Sequence, residues 1–157
     1  MSKSTTGVEF TLMLNRAAVG LYFLLAGWFK VMGEINNGVG HFFETSFKGL
    51  QPAWLPDFFG YPYAIALPWA EVVIGATLTL GLFTRISAAL TWLMLLSFTI
   101  ALVVASGSLS AGTPGPWHPN FFLILITTIF VLTGGGRYSL DATFLGKAAH
   151  RAASTKS

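Results

Sequence analysis

The apolar residues of this chain gather into four long runs, each parted from the next by a short polar or Gly/Pro-rich break, and that grouping constrains the fold more than any motif. Segments apolar along their whole length belong in lipid rather than in a water-facing shell. Composition agrees. Of 157 residues, 54% are hydrophobic and only 10% charged, against about 25% charged in an ordinary soluble domain. The expected fold is all-α: an integral membrane four-helix transmembrane bundle, with spans at about residues 10–32, 63–83, 86–106 and 120–133. Roughly 20 residues rising about 1.5 Å each cross a hydrocarbon core of about 30 Å. The fourth run is short, and Trp117 and Tyr138 mark its expected interfacial limits. One such domain uses nearly the whole chain. The opening "MSKSTTGVEF" is followed by no small-residue cleavage pattern, so the first run reads as a retained helix.

Orientation follows from the positive charges. Lys3, Arg85, Arg137, Lys147, Arg151 and Lys156 fall on one side of the expected spans, and Lys48 alone on the other. Positive residues favour the cytoplasmic side, which puts both termini there and both long loops outside. Trp28, Trp54, Trp69 and Trp117 lie near one set of span ends, as an interfacial belt requires. The loop at residues 33–62 is too aromatic for a free linker; it reads as surface-lying or re-entrant, with a short amphipathic helix around residues 41–47. After "GGGRYSLD", a second short interfacial helix is expected at residues 139–149, begun by Ser139 as N-cap.

Several functions are excluded. The chain has no cysteine, so its own residues cannot form disulfides, CxxC redox pairs, thiolate metal sites or Cys-ligated iron–sulfur clusters. A net charge of +3, scattered along the chain, speaks against nucleic acid as a partner, and the apolar spans make the lipid bilayer the expected one. His41 and His118 lie on separate outer loops and make a poor metal or haem pair, although Glu44 at i+3 from His41 offers a second ligand; the expected metal content is none.

Three ionisable side chains remain inside the expected spans: Arg16 and Lys30 in the first, Glu71 in the second. Each resists insertion by about 2.5–3.5 kcal/mol at a helix centre, so their positions require a reason. Arg16, Gly20, Phe23, Gly27 and Lys30 follow one another at helical spacing, and so do Glu71, Gly75 and Thr79. Small residues mark close helix approach in membranes, so the two charged faces are expected to meet. Helix rise places Glu71 between the two cations in depth, roughly 10 Å from each, and leaves its partner open. A buried ion pair holding two helices in register is one reading. The other is a binding site, because two cations against one carboxylate leave a charge for a quinone carbonyl, an anion or a lipid headgroup.

The segments "NRAAVGLYFLLAGWFKV", "AEVVIGATLTLGLFTRISA" and "TGGGRYSLD", in that order, resemble the DoxX/DoxD family of small membrane proteins. The resemblance implies a small integral subunit or accessory of a membrane redox complex, with quinone as candidate cofactor. It also implies Arg85, Arg137 and Asp141 as family-type polar positions beside Arg16, Lys30 and Glu71. The alternative is a non-enzymatic scaffold or assembly factor whose ion pair is purely structural. Neither reading assigns a catalytic residue.

Overall fold

The computed structural model describes residues 3–107 and 118–144. Four α-helices follow one another: α1 (Lys3–Asn37), α2 (Asp57–Leu80), α3 (Thr84–Ser106) and α4 (Pro119–Thr133), with a π-helical turn at Phe43–Phe47 between α1 and α2. By length and composition, three helices can cross a membrane, over Thr6–Asn37, Asp57–Leu80 and Thr84–Ser106. With 15 residues, α4 is shorter.

The helix limits differ from those expected, for local reasons. Because proline usually halts a helix, the second span is expected to begin after Pro62. Instead α2 begins behind Pro56 and carries Pro62 and Pro68 within it. Membrane helices tolerate such residues because neighbouring groups take up the freed carbonyls. At its other end α2 stops before the expected Phe83, since Gly81 turns left-handed at φ 71°. The N–H groups of Gly81 and Leu82 then return to the Thr77 carbonyl, closing the helix as a glycine C-cap does. α1 runs past both expected limits, through Gly7 and Gly33, and ends at Asn37 before Gly38, which turns left-handed at φ 96°.

The seam between α1 and α2 is made of backbone. Cβ atoms added at Gly20 or Gly75 would collide with main-chain atoms of the opposite helix, and one at Gly27 would lie 2.7 Å from the Glu71 Cβ and Val72 N. Glycine at these three positions lets the helices touch along their length. Beside this seam, Val19, Phe23, Leu78, Ala88, Leu95 and Phe130 form the buried core, drawn from all four helices. The outer surface is apolar too: Leu21, Leu25, Phe29, Val73, Ile86 and Leu132 are all exposed. Lipid rather than water accounts for such a surface.

The outer loop is laid down rather than free. Helical residues 41–42 lead into the π-helical turn, so the expected amphipathic helix is a single wide turn, closed by the Lys48 N–H on the Phe43 carbonyl. Phe43 is buried there, stacked on Phe47 and edge-on to Tyr61 at 5.2 Å between centroids. Of the second expected interfacial helix, residues 140–144 are helical, and the Ser139 hydroxyl accepts the Ala142 N–H at 3.2 Å. Trp117 and the remainder of that segment, with Lys147, Arg151 and Lys156, lie outside the described residues.

Candidate functional site

The intramembrane charges sort into two clusters, one at each end of the α1–α2 seam. In the first, Lys30 reaches across from α1 and places its Nζ 2.6 and 2.7 Å from the two carboxylate oxygens of Glu71. Glu71 is 2% exposed and the Lys30 side chain 26%. The same ammonium lies 5.0 Å from the centre of the Phe42 ring and 5.5 Å from that of Phe98, within cation–π range. Gly27 lets Glu71 sit flush against α1.

Arg16 does not share Glu71. It is 2% exposed and donates to the carbonyls of Gly135 and Tyr138, the latter at 2.8 Å. Helix register decides which cation pairs, since Gly27 of α1 lies against Glu71, and side-chain direction adds to it. Helical side chains lean toward their own N-terminus. Lys30 therefore folds back over the turn of Gly27, opposite Glu71, whereas Arg16 folds away from Glu71 toward the far end of the bundle. The midway depth expected from helix rise does not hold, because the register sets Glu71 beside Gly27, about one turn from Lys30 and about three from Arg16.

The far end is a polar knot. Asp141, from the segment after α4, accepts the N–H groups of Phe83 at 2.7 Å and Thr84 at 2.8 Å, and so caps α3 from 57 residues away. In return its own N–H donates to the Gly81 carbonyl at 3.0 Å. Glu9 of α1 accepts the Arg137 N–H at 2.8 Å, fixing the same turn from another side. Glycine is required here: a Cβ at Gly81 would lie 2.6 Å from the Arg16 guanidinium, and one at Gly136 would lie 2.6 Å from Glu9 Oε2. Arg85 is exposed, with a 3.3 Å contact to the Leu132 carbonyl. The expected polar positions Arg16, Arg85, Arg137 and Asp141 thus converge on one turn, while Lys30 and Glu71 lie apart from it.

The histidines act locally. His118 Nδ1 accepts the Asn120 N–H at 3.2 Å and caps α4, and His41 packs beside Gly33. Among the described residues, no three His, Asp or Glu side chains group as metal ligands.

Over residues 8–139, most of the chain, the sequence matches the family described as methylamine utilisation protein MauE. The chain belongs to the MauE family. Neither a curated protein nor a solved structure matches it. The match corrects the resemblance to DoxX/DoxD read from the sequence. The motifs behind that resemblance are glycines beside buried charges and a glycine turn after the last helix. The geometry gives each a packing duty, one that any small helical membrane protein can demand. With family membership and three apolar helices, the chain is a multi-pass membrane protein.

Two anchoring carboxylates were not visible as such in the sequence. Glu34, 6% exposed, accepts the N–H groups of Gly40 at 2.6 Å and Phe42 at 2.7 Å, and so ties the outer loop to α1. The available signal is "GEINNGVGHF", an acid followed by glycines able to turn N–H groups back toward it; Gly38 and Gly40 both adopt φ 96°. Glu9 carries no comparable signal, because its partner lies 128 residues away.

Asp141 allows a pH test. Burial pushes its carboxyl up, but the N–H groups of Thr84 and Phe83 and the nearby Arg16 outweigh that and hold it below the ordinary carboxylate range. A lowered native value stabilises the fold fully above the unfolded-chain value, and that contribution is lost as pH falls through the native one. Thermal melts in detergent should therefore show an acid-side loss of stability that Asp141→Asn flattens. At neutral pH, Asp141→Ala should cost about 1 kcal/mol, as loss of a helix cap does. An acid limb unchanged in Asp141→Asn would remove Asp141 from this role.

Proposed function

We propose that this chain is a non-catalytic membrane accessory protein of a methylamine-utilisation redox system, and that Arg16, Lys30, Glu71 and Asp141 serve its architecture. The observation that carries this reading is the closed state of Glu71: both carboxylate oxygens are engaged by Lys30, and 2% of the side chain is exposed. Arg16 gives both terminal guanidinium nitrogens to carbonyls of its own chain, its buried Nε alone being left without a partner among the described residues. Such groups position helices and offer a substrate little to bind. A quinone at Glu71 itself is therefore not part of the proposal. The redox link comes from the family's role in methylamine utilisation. With no cysteine, the chain supplies no thiol to such a system.

The test is complementation in a host whose growth on methylamine depends on this chain. Lys30→Met combined with Glu71→Met removes both charges while keeping an apolar fill, and it should restore growth at normal membrane abundance. Normal abundance without growth would assign the pair a chemical role and overturn the reading.

In the same proposal, all four helices cross the bilayer and both termini face the cytoplasm, supported by the uneven spread of Lys and Arg. A reporter after Ser157 should then behave as cytoplasmic and one inserted at Pro114 as external. Both reporters on one side would mean that α4 does not cross, and swapped outcomes would reverse the orientation.

A further inference from the structure

Two adjoining open grooves lie along the α2–α3 seam. The outer part, about 450 Å³, is walled by aromatic residues, among them Phe47, Trp54, Phe59 and Phe98. The inner part, about 360 Å³, is narrower in chemistry: Ala66, Ala70, Ile74 and Met94 line it with aliphatic surface. Tyr63 and Ser97 line both parts, and their hydroxyls, 3.0 Å apart across the seam, mark the boundary over which a ligand would pass from one to the other. Each volume falls within the ordinary range of small-molecule sites, about 300–1,000 Å³.

We propose that the two grooves together bind an uncharged lipid with a planar, oxygen-bearing ring and an alkyl tail, the ring between the outer aromatic walls and the tail along the inner seam. Charge argues for the neutral head. No Lys, Arg, Asp or Glu lines either part, and the nearby Lys48 is paired with Glu44 at 3.4 Å. A phosphate headgroup would have no counter-charge there. Planar rings match walls of Phe and Trp through offset and edge-on contacts.

Hydrogen-bond accounting points to the head's anchor. The Ser97 hydroxyl donates its single hydrogen to the Met94 carbonyl at 2.8 Å. With the hydrogen so placed, the Tyr63 O–H donates across the 3.0 Å contact between the two hydroxyls, and with it turned to Tyr63 the Tyr63 O–H is itself free to donate. Tyr63 Oη keeps free lone pairs that accept from a ring hydroxyl, and by rotating it can donate to a ring carbonyl instead. The inference stands apart from the accessory role: the growth test can fail while these grooves still bind.

The test uses the full chain in phosphatidylcholine nanodiscs, with an uncharged decyl-substituted benzoquinone as probe and tryptophan fluorescence as readout. Quenching should saturate, and Trp54→Phe should remove the saturable part. Tyr63→Phe should raise the half-saturating concentration roughly three- to tenfold, the loss of one hydrogen bond of about 0.5–1.5 kcal/mol. Ala66→Phe, at a half-lipid-facing position, should abolish saturation by filling the seam; its melting temperature shows that the fold survives. Should Ala66→Phe fail to fold, Tyr63→Phe decides alone. Quenching that rises linearly and equally in all variants would mean partition into lipid and overturn the proposal. Displacement of the probe by phosphatidylglycerol would assign the grooves to phospholipid and overturn it as well.

Discussion

Lys30→Met should destabilise this protein more than Glu71→Gln, although the two substitutions break the same ion pair. Removing one partner of a buried pair costs about 3–5 kcal/mol in soluble proteins. In membranes the cost is lower, because polar groups find alternative partners in the unfolded helices. What separates the two variants is escape. Without Glu71, the Lys30 side chain, already 26% exposed, can swing its ammonium toward the interface. Without Lys30, Glu71 is left 2% exposed on the closed seam at Gly27, where its backbone cannot move aside. Melting temperatures of both variants in one detergent check the order. Equal losses would mean that Lys30 is held as firmly as Glu71; the reverse order would contradict the burial argument.

Gly75→Ala should produce a comparable loss by a different route. The added Cβ would lie 2.8 Å from the Gly20 carbonyl oxygen and from Leu24 Cα, and closer still to Leu24 N. All three are backbone atoms, so no side chain can turn away and the helices must part. Overpacking of this kind costs about 1–3 kcal/mol, occasionally more, against a gain of about 0.8–1.0 kcal/mol in helix propensity. The clash should win. Gly7, near the start of α1, has nothing within 4 Å of its would-be Cβ, so Gly7→Ala should keep the propensity gain. A Gly75→Ala protein as stable as Gly7→Ala would show that α1 and α2 do not touch along the glycine seam.

The glycines and charges of α1 and α2 were legible in the sequence because both obey a local period. Gly20, Gly27 and Lys30 repeat at helical spacing, and a charge on a glycine-bearing face has few places to go but the neighbouring helix. The identity of the pair was not legible. Periodicity gives the face but not the register of one helix against the other, and that register, with Glu71 beside Gly27, separates Lys30 from Arg16. The knot at the far end was hidden for another reason. Its contacts join Glu9 to Arg137 and Asp141 to Thr84, across 128 and 57 residues, and no local pattern encodes a partner that distant. Glu34 lies between these cases. Its partners are six and eight residues away, within a stretch whose glycines foretell a turn but not what the turn holds.

The central claim is that the intramembrane charges hold the helices together. A double-mutant cycle on Lys30 and Glu71 tests it most directly, with unfolding free energies measured for Lys30→Met, Glu71→Met, the double variant and the native chain. The account predicts strong coupling: the double variant should be more stable than the sum of the single losses allows, by roughly 0.5–3 kcal/mol, the range for groups in direct contact. Single losses that add to within about 0.3–0.5 kcal/mol, as they do for distant sites, would show that the two residues do not act as a pair and would contradict the account.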